Sequence, residues 1–339
     1  MKILVIKLAA LGDVVRTSFI AQALKGRYKN QNPKVLWLTS EGARPFFVNN
    51  PYVDTVITDS LGSREKLKNE NIDLVINFAE EEEYAKLSSS LGCKKIGFYW
   101  DGRVLPTPST KEWYDMSLLG ERPKNDLLKI NCKKTHRQLM SEIVGIEDYE
   151  GYEPFLGLNP GQVAVAEEFR AKHNIKNQDL VVGVNLGGAD RWLKSLPVNL
   201  GIDLIEQIYK KFQCRIILFG GLKETQRNKE IISRTSVPLI DAGTENDLIN
   251  FIALMSVCDF VISTDSLGFH ISQALKKKTI CLLGPTQMYE KETFGRGKIV
   301  YAKTDCVGCM QTDCKSMEKI DILEVIDALD ELIKKDKNI

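Results

Sequence analysis

No apolar run in this chain approaches the ~18 residues that cross a bilayer, and its strongest hydrophobic stretches are short ones such as Arg215 to Phe219. Membrane contact, where it occurs, is then peripheral. An excess of one charge is missing too. The 46 Lys and Arg nearly cancel the 45 Asp and Glu, so no broad field argues for nucleic acid as the main partner, and a charged ligand must be held by local groups. The dinucleotide fingerprint Gly-x-Gly-x-x-Gly is also absent after the first strand, where Gly12 stands alone, which disfavours a nicotinamide cofactor. There is no disulfide framework either. Of eight cysteines, Cys93, Cys132, Cys214, Cys258 and Cys281 are isolated in apolar or helical segments, a usage that suits reduced thiols and a cytoplasmic location. The N-terminus lacks a cleavage site: Lys7 interrupts the apolar run and Gly12-Asp13 follows, so Met1 to Ile6 reads as a first strand.

What is present is a chain of 339 residues, 43% hydrophobic and 27% charged, ordinary for a globular protein and long enough for two cores. Short β-rich runs alternate with amphipathic stretches, the pattern of parallel sheets with crossover helices. In the first half the strands read as Lys2 to Lys7, Lys34 to Thr39, Thr55 to Thr58, Leu74 to Phe78 and Lys95 to Phe98. Helices fit at Val14 to Lys25 and Glu82 to Leu91, and the pattern loosens over residues 101–152, with one further helix from Asn131 to Val144. After a connector helix, Gln162 to His173, strands recur at Leu180 to Asn185, Arg215 to Phe219, Pro238 to Asp241, Phe260 to Ser263 and Thr279 to Leu283. The expected division is a domain over 1–158, a second over 159–320, and a closing helix over 321–339, where Ile322, Val325, Ile326, Leu329 and Leu332 recur at helical spacing.

Open α/β sheets bind ligands at the carboxyl ends of their strands, and three candidate turns stand there. The first is Leu8 to Asp13, with Gly12 and Asp13 entering a helix. Asp13 fits both a helix cap and a general base, kept ionised by the helix end and placed to take a proton from an attacking hydroxyl; the two roles are compatible. The second is Ser263 to His270. A helix N-terminus offers unpaired N–H groups and a positive dipole end to a diphosphate; Ser266 and Gly268 would allow close approach, and His270 lies one turn on, on the same face. Asp265, which would repel phosphate, is expected to accept from sugar hydroxyls or to cap the helix. The third is Asn185 to Pro197, whose Gly187 and Gly188 permit close approach to a ligand and whose Lys194 could neutralise a departing diphosphate. Glu224, after the next strand, could hold ribose hydroxyls, and Thr286 of Gly284-Pro285-Thr286 could add a hydroxyl. Cys306, Cys309 and Cys314 are the dense cysteine cluster; three ligands fall one short of a closed metal site, and reduced thiols in a surface loop fit as well. The Glu80 to Glu83 run reads as a solvated helix start.

Taken in order, these motifs resemble glycosyltransferase family 9, the ADP-heptose:lipopolysaccharide heptosyltransferases. An opening strand with Gly-Asp-Val matches Ile3 to Val14, a glycine loop followed by Trp, Lys and Pro matches Gly187 to Pro197, Asp-[Ser/Thr]-x-x-x-His matches Asp265 to His270, and Gly-Pro-Thr matches Gly284 to Thr286. The resemblance implies an α/β GT-B fold, two Rossmann-like α/β/α domains facing an interdomain cleft, with the acceptor on the N-terminal domain and a nucleotide sugar on the C-terminal one. It further implies inverting transfer without a required metal, with Asp13 as base, Lys194 on the diphosphate, Glu224 on the ribose, Asp265 on the sugar, and Ser266 with His270 on the diphosphate side. The donor it implies is ADP-L-glycero-D-manno-heptose and the acceptor an inner-core lipopolysaccharide, reached at the inner face of the cytoplasmic membrane by transient contact. Lys111, Arg122, Lys124, Lys129, Lys133, Lys134 and Arg137 could meet that acceptor's anionic groups. The chain departs from the family pattern in three places: Leu267 stands where Gly is usual, Ser316 where a fourth cysteine is common, and Ala9-Ala10 where hydroxyl residues are common. Alternatives are a GT-B-like sugar-nucleotide epimerase, which would isomerise donor alone, and a nucleotide-sugar-binding or metal-sensing protein that binds without turnover.

Overall fold

The computed structural model describes residues 1–188 and 192–337, so Ala189 to Arg191 of the glycine loop and the last two residues of the expected closing helix lie outside the described residues. The described residues divide into two compact units. The first is Met1–Gly157 together with Tyr289–Lys291; the second is Leu158–Met288 together with the chain from Glu292 onward.

In the first unit, β1 (Lys2–Ile6) leads through α1 (Leu11–Thr17) and α2 (Phe19–Arg27) to β2 (Lys34–Thr39) and β3 (Thr55–Thr58). Next come α3 (Leu61–Lys68), β4 (Leu74–Asn77), α4 (Glu82–Ser90), β5 (Lys94–Trp100) and β6 (Val104–Pro106), and α5 (Lys111–Met116), α6 (Lys124–Asn131) and α7 (His136–Val144) complete the unit. The sheet runs β3-β2-β1-β4-β5-β6, parallel except for β6. Its centre is β1, whose Ile3, Leu4, Val5 and Ile6 are fully buried. Each of these side chains contributes about 1.5–3 kcal/mol by leaving water, and both neighbours pair with β1 in parallel register, Ile3 opposite Val35 on one side and Leu74 on the other. A strand buried on both faces reads as an unbroken apolar run, as this one does.

The second unit repeats that topology. After α8 (Pro160–Lys172), β7 (Val181–Asn185), α9 (Val198–Phe212), β8 (Arg215–Phe219), α10 (Thr225–Arg234), β9 (Ile240–Asp241) and α11 (Leu248–Ser256) follow. The chain continues with β10 (Phe260–Thr264), α12 (Leu267–Ala274), β11 (Lys278–Leu283), β12 (Gly297–Tyr301) and α13 (Ile322–Lys337). The sheet order is β12-β11-β10-β7-β8-β9, parallel throughout. Val325, Ile326 and Leu329 of α13 share one apolar cluster with Val182 of β7 and Leu204 of α9, so this helix is part of the second unit's core.

Several expected elements came out differently. The Val14 to Lys25 helix is divided at Ser18, where the amide donates to Val15 three residues back and the ladder tightens. The Asn131 to Val144 helix begins only at His136, because Thr135 accepts from the Gln138 amide and caps it there; α6 is a separate helix before it. β6 and β12 are edge strands that local pattern did not reveal. β6 ends in proline and is defined by antiparallel pairing to β5, and β12 by pairing to β11.

Candidate active site

Both sheets reverse their winding at one point, between β1 and β4 in the first unit and between β7 and β10 in the second. Such switch points leave a crevice at the strand ends, and the candidate residues collect there.

In the first unit the loop after β1 delivers Asp13 as the third residue of α1, directly after Gly12. The expectation that Asp13 caps this helix is corrected: Ala10 occupies the cap position and no side chain caps it. The carboxylate is gripped by Arg16, one turn on, with Nε donating to Oδ1 at 2.9 Å and Nη2 at 2.8 Å from the same atom. Partial burial pulls the Asp13 pKa upward, but Arg16 and Lys7 outweigh it and hold the carboxyl well below the usual range. The side chain remains 37% exposed, so the ionised group is open to a ligand. The other end of the Arg16 guanidinium donates to Glu290 Oε2 at 3.2 Å. Behind Arg16, His136 Nε2 meets Thr17 Oγ1 at 2.9 Å and its ring stands edge-on to Trp113. Burial, with Arg16 adding, keeps that imidazole neutral, its pKa well below the ordinary value.

Glu80 was expected in a solvated helix start. It precedes α4 instead, half-buried, and burial raises its pKa against the opposing pull of Lys7 and a hydrogen bond with Trp113. Beside the β1 loop a cavity of about 560 Å³ is lined by Ala9, Ala10, Ser40, Glu41, Asp59 and Glu81, a wall richer in carboxylates than in cations.

In the second unit β10 ends at Thr264, and Asp265 and Ser266 lead directly into α12. The cap position belongs to Ser266, so the expectation of an Asp265 cap is corrected as well. Ser266 does not cap through its side chain either. Its Oγ accepts from Asn185 Nδ2 at 2.9 Å, which also reaches Ser263 Oγ at 3.2 Å, while Thr264 Oγ1 donates to the Gly187 carbonyl. These bonds sew the end of β7 to the end of β10 across the switch point. The Asp265 carboxylate, nearly buried, accepts from Thr286 Oγ1 at 2.6 Å. Lys194 Nζ lies 3.7 Å from one of its oxygens and His270 Nε2 3.9 Å from the other. Five expected residues are thereby assembled: Lys194, Asp265, Ser266, His270 and Thr286.

The glycines make room for neighbouring side chains. A Cβ on Gly268 would fall 2.5 Å from Asn185 Nδ2, and one on Gly187 would fall 2.4 Å from Glu224 Cγ. Their missing side chains make room for Asn185 and Glu224; Gly188 likewise lies against Lys194 Cβ, at 3.0 Å. Glu224 itself accepts from the Gly221 amide at 2.9 Å.

The cysteine loop braces this site. Trp192 Nε1 donates to the Met310 carbonyl at 3.2 Å, the Gly308 amide to Gly284 at 2.9 Å, and the Met310 amide to Pro285 at 2.8 Å. Cys306 and Cys314 place their sulfurs 3.3 Å apart, and no group of three His, Cys, Asp or Glu among the described residues is placed to hold a metal ion. Of the basic residues expected to meet the acceptor, Lys111 pairs with Asp115, Lys134 with Glu112 and Glu142 (2.7 Å each), Lys129 with Glu290 (3.5 Å), and Arg137 donates to two backbone carbonyls. Arg122, Lys124 and Lys133 are exposed.

Pattern reading missed Arg16, Glu80, His136 and Glu290. Arg16 carried a signal, three residues after an acid on one helix. Glu290 carried none, lying 274 residues from its partner.

Residues 134–320 match the profile of Glycosyltransferase family 9 (heptosyltransferase). A curated relative, lipopolysaccharide heptosyltransferase 1 of Campylobacter coli, is 22% identical over 303 residues, covering 85% of each chain. Among solved structures, a family 9 glycosyl transferase from Veillonella parvula superposes with a TM-score of 0.81 at 17% identity, over 98% of this chain and 97% of that one. The ADP-heptose lipopolysaccharide heptosyltransferase II of E. coli superposes with a TM-score of 0.70 at 18% identity, over 99% and 100%. The fold of these two parallel-sheet units is GT-B.

Proposed function

The chain belongs to glycosyltransferase family 9, and from that premise we propose that it moves a heptose from ADP-L-glycero-D-manno-heptose to an inner-core lipopolysaccharide acceptor, with inversion at the anomeric carbon. The observation that carries this reading is Asp13, an ionised, part-exposed carboxylate at the end of β1, oriented by Arg16. The donor class follows the relatives, one of which is named for ADP-heptose.

In the proposed reaction an acceptor hydroxyl oxygen attacks the anomeric carbon, the bond from that carbon to the diphosphate breaks, and ADP leaves with the electron pair. The hydroxyl proton passes to Asp13. A carboxylate so stabilised is a weak base, so the proton moves late, once bond formation has made the hydroxyl acidic. The charge on the leaving diphosphate is met by Lys194, His270 and the amides that open α12, which supply the compensation without a metal. Lys194 Nζ stands beyond hydrogen-bond distance from Asp265, so a diphosphate can draw it without first breaking a short bond to that carboxylate. Asp265 and Glu224 are assigned to sugar and ribose hydroxyls, Ser266 to the diphosphate side, and Gly12, Gly187, Gly188 and Gly268 to shaping these loops.

The acceptor is assigned to the first unit, where the carboxylate-lined cavity beside Ala9 and Ala10 suits sugar hydroxyls. Its anionic groups are left to Arg122, Lys124 and Lys133. No helix among the described residues is long and apolar enough to cross a membrane. Exposed Leu118, Leu127, Leu128 and Ile130 stand beside those same basic residues, which supports peripheral contact with an anionic membrane from the cytoplasmic side.

The test is transfer itself: incubation with ADP-heptose and heptose-deficient lipopolysaccharide, read by mass spectrometry of the acceptor, is expected to add one heptose. Failure there with ADP-heptose, and success with another nucleotide sugar, would reassign the donor. The epimerase alternative is not favoured by the family match, and it predicts isomerised donor in the absence of acceptor.

A further inference from the structure

Glu290 is a buried carboxylate that the reaction above does not use. Its side chain is 8% exposed, and three cations surround it: Arg16 Nη1 at 3.2 Å, Lys129 Nζ at 3.5 Å and Lys291 Nζ at 3.6 Å. In the sequence it belongs to the stretch between β11 and β12, yet Tyr289–Lys291 pack with the first unit. The Glu290 carbonyl accepts from the His136 amide at the start of α7, and the His136 ring bonds Thr17 on α1. The segment is thus moored to the same helix that carries Asp13.

The geometry at Arg16 is the point of interest. A guanidinium is a rigid planar fork, so contacts on two of its edges fix its plane. Here Nε and Nη2 hold Asp13 Oδ1 while Nη1 holds Glu290 Oε2. Arg16 is itself only 13% exposed. Burying an ion pair is a poor way to gain stability compared with apolar packing, and its best-attested use is to impose one arrangement.

We propose that Glu290 is a positioning residue for glycosyl transfer: by gripping the back of Arg16 it sets the orientation of the Asp13 carboxylate and takes up part of the charge that Arg16 would otherwise place on it. The inference rests on the reading of Asp13 as base. Without Glu290 the guanidinium loses its hold at Nη1 and more of its charge falls on Asp13, making a misplaced and weaker base. Both effects act on turnover and neither acts on donor binding.

The experiment is steady-state kinetics of the full chain with ADP-heptose and heptose-deficient lipopolysaccharide for Glu290→Gln, Arg16→Gln and the double variant, with Asp13→Asn alongside. Glu290→Gln should lower kcat about 10- to 100-fold, the size of loss that a small misplacement of a catalytic group causes, and leave the donor KM within about twofold. Because Glu290 acts through Arg16, the double variant should be no slower than Arg16→Gln alone. A wild-type kcat for Glu290→Gln, a loss confined to KM, or losses that multiply in the double variant would each overturn the proposal. Should Glu290→Gln not fold, Glu290→Asp keeps the charge but retreats by one methylene, and must still lower kcat; wild-type turnover in it overturns the proposal equally. An active Asp13→Asn would instead remove the base reading, whereas an inactive Asp13→Asn beside a normal Glu290→Gln removes this inference alone.

Discussion

The two switch points share one topology and treat a carboxylate in opposite ways. At the first, Asp13 is held by Arg16 at 2.8 to 2.9 Å, a closed charge-assisted contact that fixes the group before any substrate arrives. At the second, Asp265 accepts a short bond from a neutral hydroxyl, Thr286 at 2.6 Å, and Lys194 Nζ lies 3.7 Å from the same carboxylate. The first arrangement suits a group that must point in one direction, and the second suits cations that must be shared with an incoming anion. In the proposed reaction a common fold carries a preset base and an adjustable anion site, and the difference lies in a few side chains at the strand ends.

The sharpest way to break this comparison is at Asp13. Asp13→Ala should lower transfer by about 10²- to 10⁴-fold, the range for loss of a general base, while donor affinity measured by calorimetry stays near that of the wild type. Near-normal turnover would remove the preset base and leave only the anion site. Next in size is Lys194→Ala, expected to cost roughly 10²- to 10³-fold in kcat if the lysine meets charge on the leaving group. Rapid-quench kinetics would place the loss, and an effect confined to donor KM would make Lys194 a ground-state contact.

Gly268→Ala is a smaller, structural probe. Its Cβ would displace Asn185 from the bonds that join β7 to β10, costing about 1–3 kcal/mol as an overpacked site. Thermal denaturation should fall accordingly and donor KM should rise with it; an unchanged melting temperature would mean that the strand ends are not coupled through Asn185.

The smallest effect concerns pH. His136 is buried next to Thr17, and its folded pKa lies well below the ordinary value. The unfolded chain therefore binds a proton near pH 6.5 that the folded chain refuses, and stability falls as pH drops below that value by at most about 1.4 kcal/mol per pH unit. The depressed carboxylates Asp13 and Glu290 lose their contribution only further down, as pH falls through their own folded values. Denaturant titrations of the wild type and His136→Gln between pH 7 and 5 should show the shallower slope in the variant, and equal slopes would clear His136 of that role.

Much of the fold was legible in local pattern. β2 and β8 fall where their apolar runs predict, because a strand buried on both faces has few other ways to be written. Of the edge strands, β3 was legible in its own Thr-Val-Ile-Thr run, whereas β6 and β12 escaped, since their pairing to β5 and β11 defines them more than their own composition. The candidate site divides along the same line. Asp13, Lys194, Asp265, Ser266, His270 and Thr286 all sit beside strand ends, a position readable from the order of elements. The packing role of the glycines was not legible, because the side chain that fills the space above a glycine is remote in sequence: Asn185 for Gly268 and Glu224 for Gly187. The cap expectations failed for a related reason. A cap is a matter of one residue, and Ala10 and Ser266 took the positions assigned to Asp13 and Asp265.

The chain's own order of strands, turns and helices determined the two-sheet architecture, the strand ends where chemistry gathers, and the motifs that tie it to its family, because these depend on periodicity and on neighbours in sequence. Only the tertiary structure decided which groups bond to one another. Arg16 and Glu290, Asp265 and Thr286, and Trp192 and Met310 meet because folding brings distant segments within a few ångströms, and electrostatic and hydrogen-bonding energies fall off with distance in space, whatever the distance along the chain.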